Sequence, residues 1–123
     1  MTSRNRVSRR SFLLAAAAVP FSAAATERIP GANERIRIGM IGCGQRGMEL
    51  MDRLTQGPVS RVAEISAVCD VFKPHRDRAA TLFSARAFSR WEDLASSRDV
   101  DAVVICTPDH WHAPIAVGAM QCG

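Results

Sequence analysis

An α/β fold, with a parallel sheet doubly wound by helices, follows from three features of this sequence. A glycine-rich turn, Gly42-Cys43-Gly44-Gln45-Arg46-Gly47, leaves the apolar run Ile36-Arg37-Ile38-Gly39-Met40-Ile41 and leads into a helical pattern. A second apolar run, Val62 to Cys69, ends in Asp70, at about the 20-residue distance where such a turn is followed by an acid. Strand-like and helix-like segments then alternate, which is the signature of a parallel sheet wound by right-handed crossovers.

Each element has its own signal. Ile36 to Ile41 is a continuous apolar run, suited to a strand buried on both faces. The helix beginning near Gln45 carries Met48, Leu50, Met51 and Leu54 at helical spacing, and Gln56-Gly57-Pro58 stops it. Val62 to Cys69 is the second strand. Pro74 opens a second helix through about Ser84, since proline suits a first turn, with Ala79, Ala80, Leu82 and Phe83 facing inward. Ala87-Phe88 is a candidate third strand, and Trp91-Glu92-Asp93-Leu94 begins a short helix that ends before Arg98-Asp99. The β-branched run Ala102-Val103-Val104-Ile105-Cys106 is the fourth strand, closed by Thr107-Pro108. A last helix is expected from about Pro114 through Gln121, with Gly123 as a candidate C-cap.

Among the 123 residues, 47% hydrophobic and 23% charged, the composition is that of an ordinary soluble chain. The formal charge of +4 is confined to one end, because Arg4, Arg6, Arg9 and Arg10 precede the first acid, Glu27. The remainder is neutral and has no basic groove with interleaved aromatics, so a nucleic-acid partner is not expected. The N-terminus reads instead as a targeting segment. A basic stretch precedes Phe12-Leu13-Leu14-Ala15-Ala16-Ala17-Ala18-Val19, and Pro20 and the small residues Ser22-Ala23-Ala24-Ala25 follow. That run is too short for a permanent membrane anchor. Ser8-Arg9-Arg10-Ser11-Phe12-Leu13 resembles the twin-arginine export signal, with cleavage expected after Ala25 or Ala24. The expected organisation is a signal over residues 1–25, a linker over 26–34 and a nucleotide-binding unit over 35–123. Twin-arginine export implies folding in the cytoplasm, then a periplasmic or extracellular destination, with the export machinery as a partner.

The glycine turn carries the chemistry. Gly42 permits the tight turn, Gly44 lets bare backbone approach a pyrophosphate, and Gly47 lets the following helix pack closely. The helix N-terminus near Gln45 and Arg46 then directs unpaired N–H groups and a positive dipole end at the phosphates. A structural glycine turn is the alternative; the strand before it, the helix after it and the placed acid favour the nucleotide. Cys43, Cys69, Cys106 and Cys122 are even in number, as a disulfide framework needs. Cys69 and Cys106 nevertheless lie in strand-like runs and Cys43 in the turn, so buried thiols are the expectation. Cys106, His110 and His112 are of metal-ligating types, but Cys106 ends a buried strand and two histidines separated by one residue do not complete a zinc site, so no metal is assigned. Asp109-His110-Trp111-His112 is either a structural loop or the lining of a cofactor or substrate pocket.

Together Gly39 to Gly47, Ala67-Val68-Cys69-Asp70-Val71 and Cys106-Thr107-Pro108-Asp109-His110-Trp111-His112 resemble the Gfo/Idh/MocA family of glucose-fructose oxidoreductases and inositol dehydrogenases, particularly its exported bacterial members. The resemblance spans Arg35 to Gly123. It implies an N-terminal Rossmann-type nucleotide domain, a second α/β domain with an open sheet, and NAD or NADP used on sugars, cyclitols and related polyols. By resemblance, the backbone at Cys43, Gln45 and Arg46 meets the pyrophosphate and Asp70 the adenosine ribose. Thr107, Pro108 and His112 border the nicotinamide end. NAD is the expected cofactor over NADP, because Asp70 repels a 2′-phosphate, although Lys73 and Arg76 stand close enough in sequence to soften the repulsion.

The family's Glu-Lys-Pro motif would follow Gly123, and no catalytic residue is assigned within this chain. Lys73, the only lysine, cannot take that role. A sheet stopping at the fourth strand leaves an open edge, so the expectation is an incomplete Rossmann-type sheet, the N-terminal piece of a two-domain protein. Three functions remain open: an oxidoreductase for a sugar or polyol, an NAD-dependent glycosidase of the same family, and a truncated non-catalytic nucleotide-binding fragment. Substrate stereochemistry and the oligomeric state of the parent, a homo-oligomer being one possibility, are not set by these residues.

Overall fold

Four parallel strands in the order β3-β2-β1-β4 form the sheet, with β1 at Ile36–Ile41, β2 at Ala63–Cys69, β3 at Arg86–Phe88 and β4 at Ala102–Ile105. The computed structural model describes residues 35–123; the expected export signal and linker lie outside them. Helix α1 spans Gln45–Leu54, α2 Lys73–Phe83, α3 Trp91–Ala95 and α4 Asp109–Gln121, and a 3-10 turn at Gly57–Arg61 leads into β2.

Alternation along the central strands divides the core into two layers. Ile38 and Met40 of β1 pack with Met51 of α1 and Ala79 of α2, whereas Ile41 packs with Leu94 of α3 and Ile115 of α4. Helices α1 and α2 therefore cover one face, and α3 and α4 the other. Close approach on the second face depends on small residues. A Cβ on Gly39 would lie 2.6 Å from Leu94 Cδ2, and one on Gly118 would lie 2.3 Å from the Trp91 ring.

The β1–β2 ladder slips between Ile38 and Gly39, where Ile38 pairs with Ile65 but Gly39 pairs with Ala67. Ser66 is the extra residue, and its hydroxyl donates to the Asp99 carbonyl at 2.8 Å. The bulge reverses which residues of β2 face which layer. Ala63 and Ile65 before it share a cluster with Val68 after it, while Ala67 and Cys69 join the opposite cluster. At the amino ends of β1 and β4, Arg37 grips Asp101 by Nε to Oδ2 at 3.1 Å and Nη2 to Oδ1 at 2.8 Å.

Several sequence expectations shift. Leu82 does not face inward; it is 60% exposed, whereas Ala79 is fully buried, because α2 presents only a narrow stripe to the sheet. Val62, 59% exposed, precedes β2 rather than starting it, and β4 ends at Ile105, before Cys106. The largest difference is α4. It starts at Asp109, with Pro114 inside it, so Asp109-His110-Trp111-His112 is a helical turn and not a loop. A first-turn proline costs no hydrogen bond, because its N–H would have no helical acceptor there, whereas Pro114 inside the helix removes one; the ladder has already begun with the Trp111 amide donating to the Pro108 carbonyl at 2.9 Å. Cys122 caps this helix, and Gly123 follows with φ +110°.

Candidate functional site

The chain runs outward from β1 to β3 and then crosses back to β4 on the other side of β1, so the strand order reverses between β1 and β4. Ligands of doubly wound sheets bind outside the carboxyl ends of the strands at that reversal. The glycine turn lies there. Gly42 has φ +96°, and its amide donates to the Cys69 carbonyl at 2.8 Å. A Cβ at Gly42 would fall 2.7 Å from the Cys106 carbonyl, and one at Gly47 would fall 2.1 Å from the Gly42 oxygen. The fold itself thus requires these two glycines. Gly44 differs: its φ of −69° suits any residue, and a Cβ there would meet nothing within 4 Å. No protein neighbour would crowd a Cβ at Gly44, so the fold does not require a glycine there.

Helix α1 begins at this open position. Its first ladder bond runs from the Met48 amide to the Gly44 carbonyl at 2.9 Å, leaving the amides of Gln45, Arg46 and Gly47 without a helical acceptor. No side chain caps this terminus and no acid lies in its first turn, so the helix's own residues leave its positive dipole end open. The side chains of Gln45 and Arg46 turn away to Glu49, each at 3.4 Å.

Asp70 extends beyond β2 with its side chain 12% exposed. Its Oδ2 accepts the Cys43 amide at 2.7 Å, and its Oδ1 accepts the Phe72 amide at 2.8 Å. The carboxylate therefore fastens the glycine turn to the tip of β2, and each oxygen keeps a further lone pair for a ligand hydroxyl. Around it the cations are not arranged as their sequence order suggests. Lys73 pairs with Asp77, and Arg76 donates to the Asp70 backbone carbonyl at 3.0 Å. His75 is the residue that faces the carboxylate, with Nδ1 3.9 Å from Oδ2; reading the sequence missed it, because only the α2 geometry turns it toward Asp70.

Cys43 and Cys69 are buried and unpaired, on opposite layers of the core. Burial first and the Asp70 charge second push the Cys43 thiol up to about 12 and the Cys69 thiol up to about 11. Burial likewise raises the Cys106 thiol. Such thiols stay protonated and act as small apolar groups.

At the end of β4 the Cys106 amide donates to the Ile41 carbonyl at 2.7 Å, holding Thr107 beside the turn. The Thr107 hydroxyl oxygen is the one buried side-chain polar atom among the described residues with no hydrogen-bond partner, so this corner of the crevice is incomplete in hydrogen bonding. Pro108 precedes α4 as its N-cap. His112 Nε2 lies 2.6 Å from the Thr107 carbonyl. A carbonyl only accepts, so Nε2 carries the proton and a neutral ring keeps Nδ1 as an acceptor. Trp111 is 50% exposed, and its ring centroid lies 5.8 Å from that of His110. Among the described residues no three His, Cys, Asp or Glu side chains gather as a metal would need.

The sequence profile described as "Oxidoreductase family, NAD-binding Rossmann fold" (GFO_IDH_MocA) matches residues 36–123. The chain belongs to the Gfo/Idh/MocA family. Its Rossmann unit is thus the NAD-binding fold of that family. A glycosyl hydrolase family 109 protein of Stenotrophomonas maltophilia (strain K279a) is 33% identical over 94% of this chain and 28% of its own length. One from Shewanella sp. (strain W3-18-1) is 32% identical over 72% of this chain and 21% of its own length. The WlbA dehydrogenase of Bordetella pertussis, solved with NADH and UDP-GlcNAcA, superposes with a TM-score of 0.68 at 29% identity, covering 73% of this chain and 27% of that one. The K102A mutant of KijD10, a 3-ketoreductase of Actinomadura kijaniata solved with TDP-benzene and NADP, gives 0.66 at 25% identity, covering 73% and 28%. This Gfo/Idh/MocA chain thus spans less than a third of the length of each of these relatives.

Proposed function

We propose that this chain is the nucleotide-binding part of an exported enzyme that oxidises or reduces a sugar, cyclitol or related polyol, with NAD preferred to NADP. The carrying observation is the uncapped start of α1 opening onto bare backbone at Gly44, with no acid in its first turn. A dinucleotide pyrophosphate fits that chemistry: three unpaired amides, a positive dipole end and no side chain in the way. In this reading Gln45, Arg46 and Gly47 offer backbone amides around the phosphates, and Cys43, whose own amide is held by Asp70, borders them as part of the turn. Asp70, held in place by the Cys43 and Phe72 amides, receives the ribose hydroxyls and disfavours a 2′-phosphate. Thr107, Pro108 and His112 border the nicotinamide end, where the His112 ring is held by the Thr107 carbonyl. A bound nicotinamide supplies hydride acceptance or donation. The solved relatives carry NADH with a sugar nucleotide in one case and NADP in another, which supports the substrate class and leaves cofactor choice to Asp70 and its neighbours.

A second reading is an NAD-dependent glycosidase, favoured by the names of the curated relatives. The two predict different products. Accumulation of free NADH with a sugar or polyol supports the first, and net glycoside cleavage without added cofactor supports the second. Both fail if calorimetric titration of the chain with NAD gives no binding. Export is a separate part of the proposal and rests on Arg9-Arg10 and the apolar run after them. Replacing both arginines by lysine is expected to retain the protein in the cytoplasm, and unchanged export in cells lacking the twin-arginine machinery refutes it.

A further inference from the structure

We infer that His75 is a specificity-determining residue of this site, its charge setting how well a 2′-phosphate is tolerated beside Asp70. The inference rests on the nucleotide reading above and assigns a residue that neither the glycine motif nor the acid after β2 identifies. Discrimination against a 2′-phosphate depends on a negative charge that cannot move aside. Asp70 meets that condition, because both carboxylate oxygens are held by backbone amides, at 2.7 Å and 2.8 Å. The balance then depends on which cation stands next to it.

Neither of the obvious cations faces the carboxylate. Lys73 pairs with Asp77 on the surface of α2. The Arg76 guanidinium, with its side chain 16% exposed, is spent on the Asp70 backbone carbonyl at 3.0 Å and on Asp77 at 3.9 Å. The His75 imidazole does face it, 3.9 Å from Oδ2, with half of its side chain open to solvent. Its ring is held edge-on against Phe72 with centroids 4.7 Å apart. A ligand group that hydrogen-bonds Asp70 therefore comes within reach of this ring.

An imidazole changes charge between about pH 5 and 8. Neutral His75 leaves the carboxylate to repel a phosphate alone, and protonated His75 offsets that repulsion. The charged group facing it is Asp70 at the tip of β2; Arg76 and the Lys73–Asp77 pair are the charges beside it on its own helix, and the thiols of Cys43 and Cys69 lie near Asp70. Burial keeps Cys43 and Cys69 protonated, pushed up to about 12 and about 11. The 2′-phosphate itself titrates near about pH 6, so an acid-induced gain in wild type mixes two groups. A variant without the imidazole retains only the phosphate's share.

The test is calorimetric titration of the full chain with NAD and with NADP, for wild type, His75→Gln and His75→Arg, at about pH 5.5 and about pH 8. On acidification the NADP-to-NAD affinity ratio of wild type is expected to rise about fivefold more than that of His75→Gln, the scale of one unit charge about 4 Å away in a wet site. His75→Arg is expected to give a raised ratio at both pH values. The melting temperature should stay near wild type in both variants, since the side chain is half exposed. Parallel pH profiles in wild type and His75→Gln overturn the inference, as does an unchanged ratio in His75→Arg. Loss of NAD binding by the wild-type chain overturns the nucleotide reading itself and the role of His75 with it.

Discussion

At the scale of single residues, the three motif glycines do different work. A Cβ at Gly47 would stand 2.1 Å from a backbone carbonyl, and one at Gly44 would stand in open space. Gly47→Ala is therefore expected to destabilise the protein by about 1–3 kcal/mol, as overpacking does, lowering the melting temperature before any ligand is added. Gly44→Ala should cost less than about 1 kcal/mol of stability, the scale of a weakened N-cap. Its NAD affinity should nonetheless fall by about tenfold or more, which titration against the melting curve separates. Asp70→Ser has a double effect. It removes the acceptor of the Cys43 and Phe72 amides, costing about 1–3 kcal/mol, and it lowers the NAD-to-NADP affinity ratio by on the order of tenfold; an unchanged ratio leaves Asp70 only its structural role. The turn and the acid were legible in the sequence because their signals are local. His75 was not, because nothing in Lys73-Pro74-His75-Arg76 says which cation a helix will turn toward the acid.

At the scale of elements, β1, α1 and β2 were legible because apolar runs and glycine punctuation are strong there. The start of α4 was hidden by Pro114, read as a first-turn proline when it lies inside the helix. The 3-10 turn at Gly57–Arg61 was also unread, since glycine and proline announce a stop but not the shape that follows. The buried thiols test how tightly the strand ends pack. Cys43 and Cys69 are buried and Cys122 is exposed, so a thiol reagent at neutral pH should modify Cys122 rapidly and reach Cys43 and Cys69 only after denaturant is added; rapid labelling of Cys43 contradicts this packing. The pH dependence has a definite sign. The folded state holds a proton on Cys43 that the unfolded chain releases above the ordinary thiol value of 9.0, the native value being about 12. This contribution is complete below pH 9.0 and is lost as the pH climbs toward about 12, so denaturant midpoints should fall over that interval, less steeply in Cys43→Ala.

At the scale of the whole molecule, the two helix layers and the reversal between β1 and β4 put every candidate residue at one pole, the carboxyl end of the sheet. The Arg37–Asp101 grip ties the same two strands at the other pole. β1 is bonded on both sides, whereas β4 ends the sheet and, among the described residues, has no partner on its outer side. Native-state hydrogen exchange should therefore be slowest at Met40 and Ile41 and faster along β3 and β4; uniform protection would mean that another strand covers β4 in solution. The least legible feature was the slip at Ser66, because Ala-Glu-Ile-Ser-Ala-Val-Cys contains no residue that announces a bulge. Its effect resembles a frameshift. In a strand the address of a side chain is its parity, and one inserted residue changes the parity of everything downstream. Ser66 is that insertion, so Asp70 shares the parity of Val68, on the α1 side of the sheet where Cys43 also packs. Removing Ser66 alone would leave every chemical group of the site in the chain and give the acid the opposite address, away from the turn it now holds.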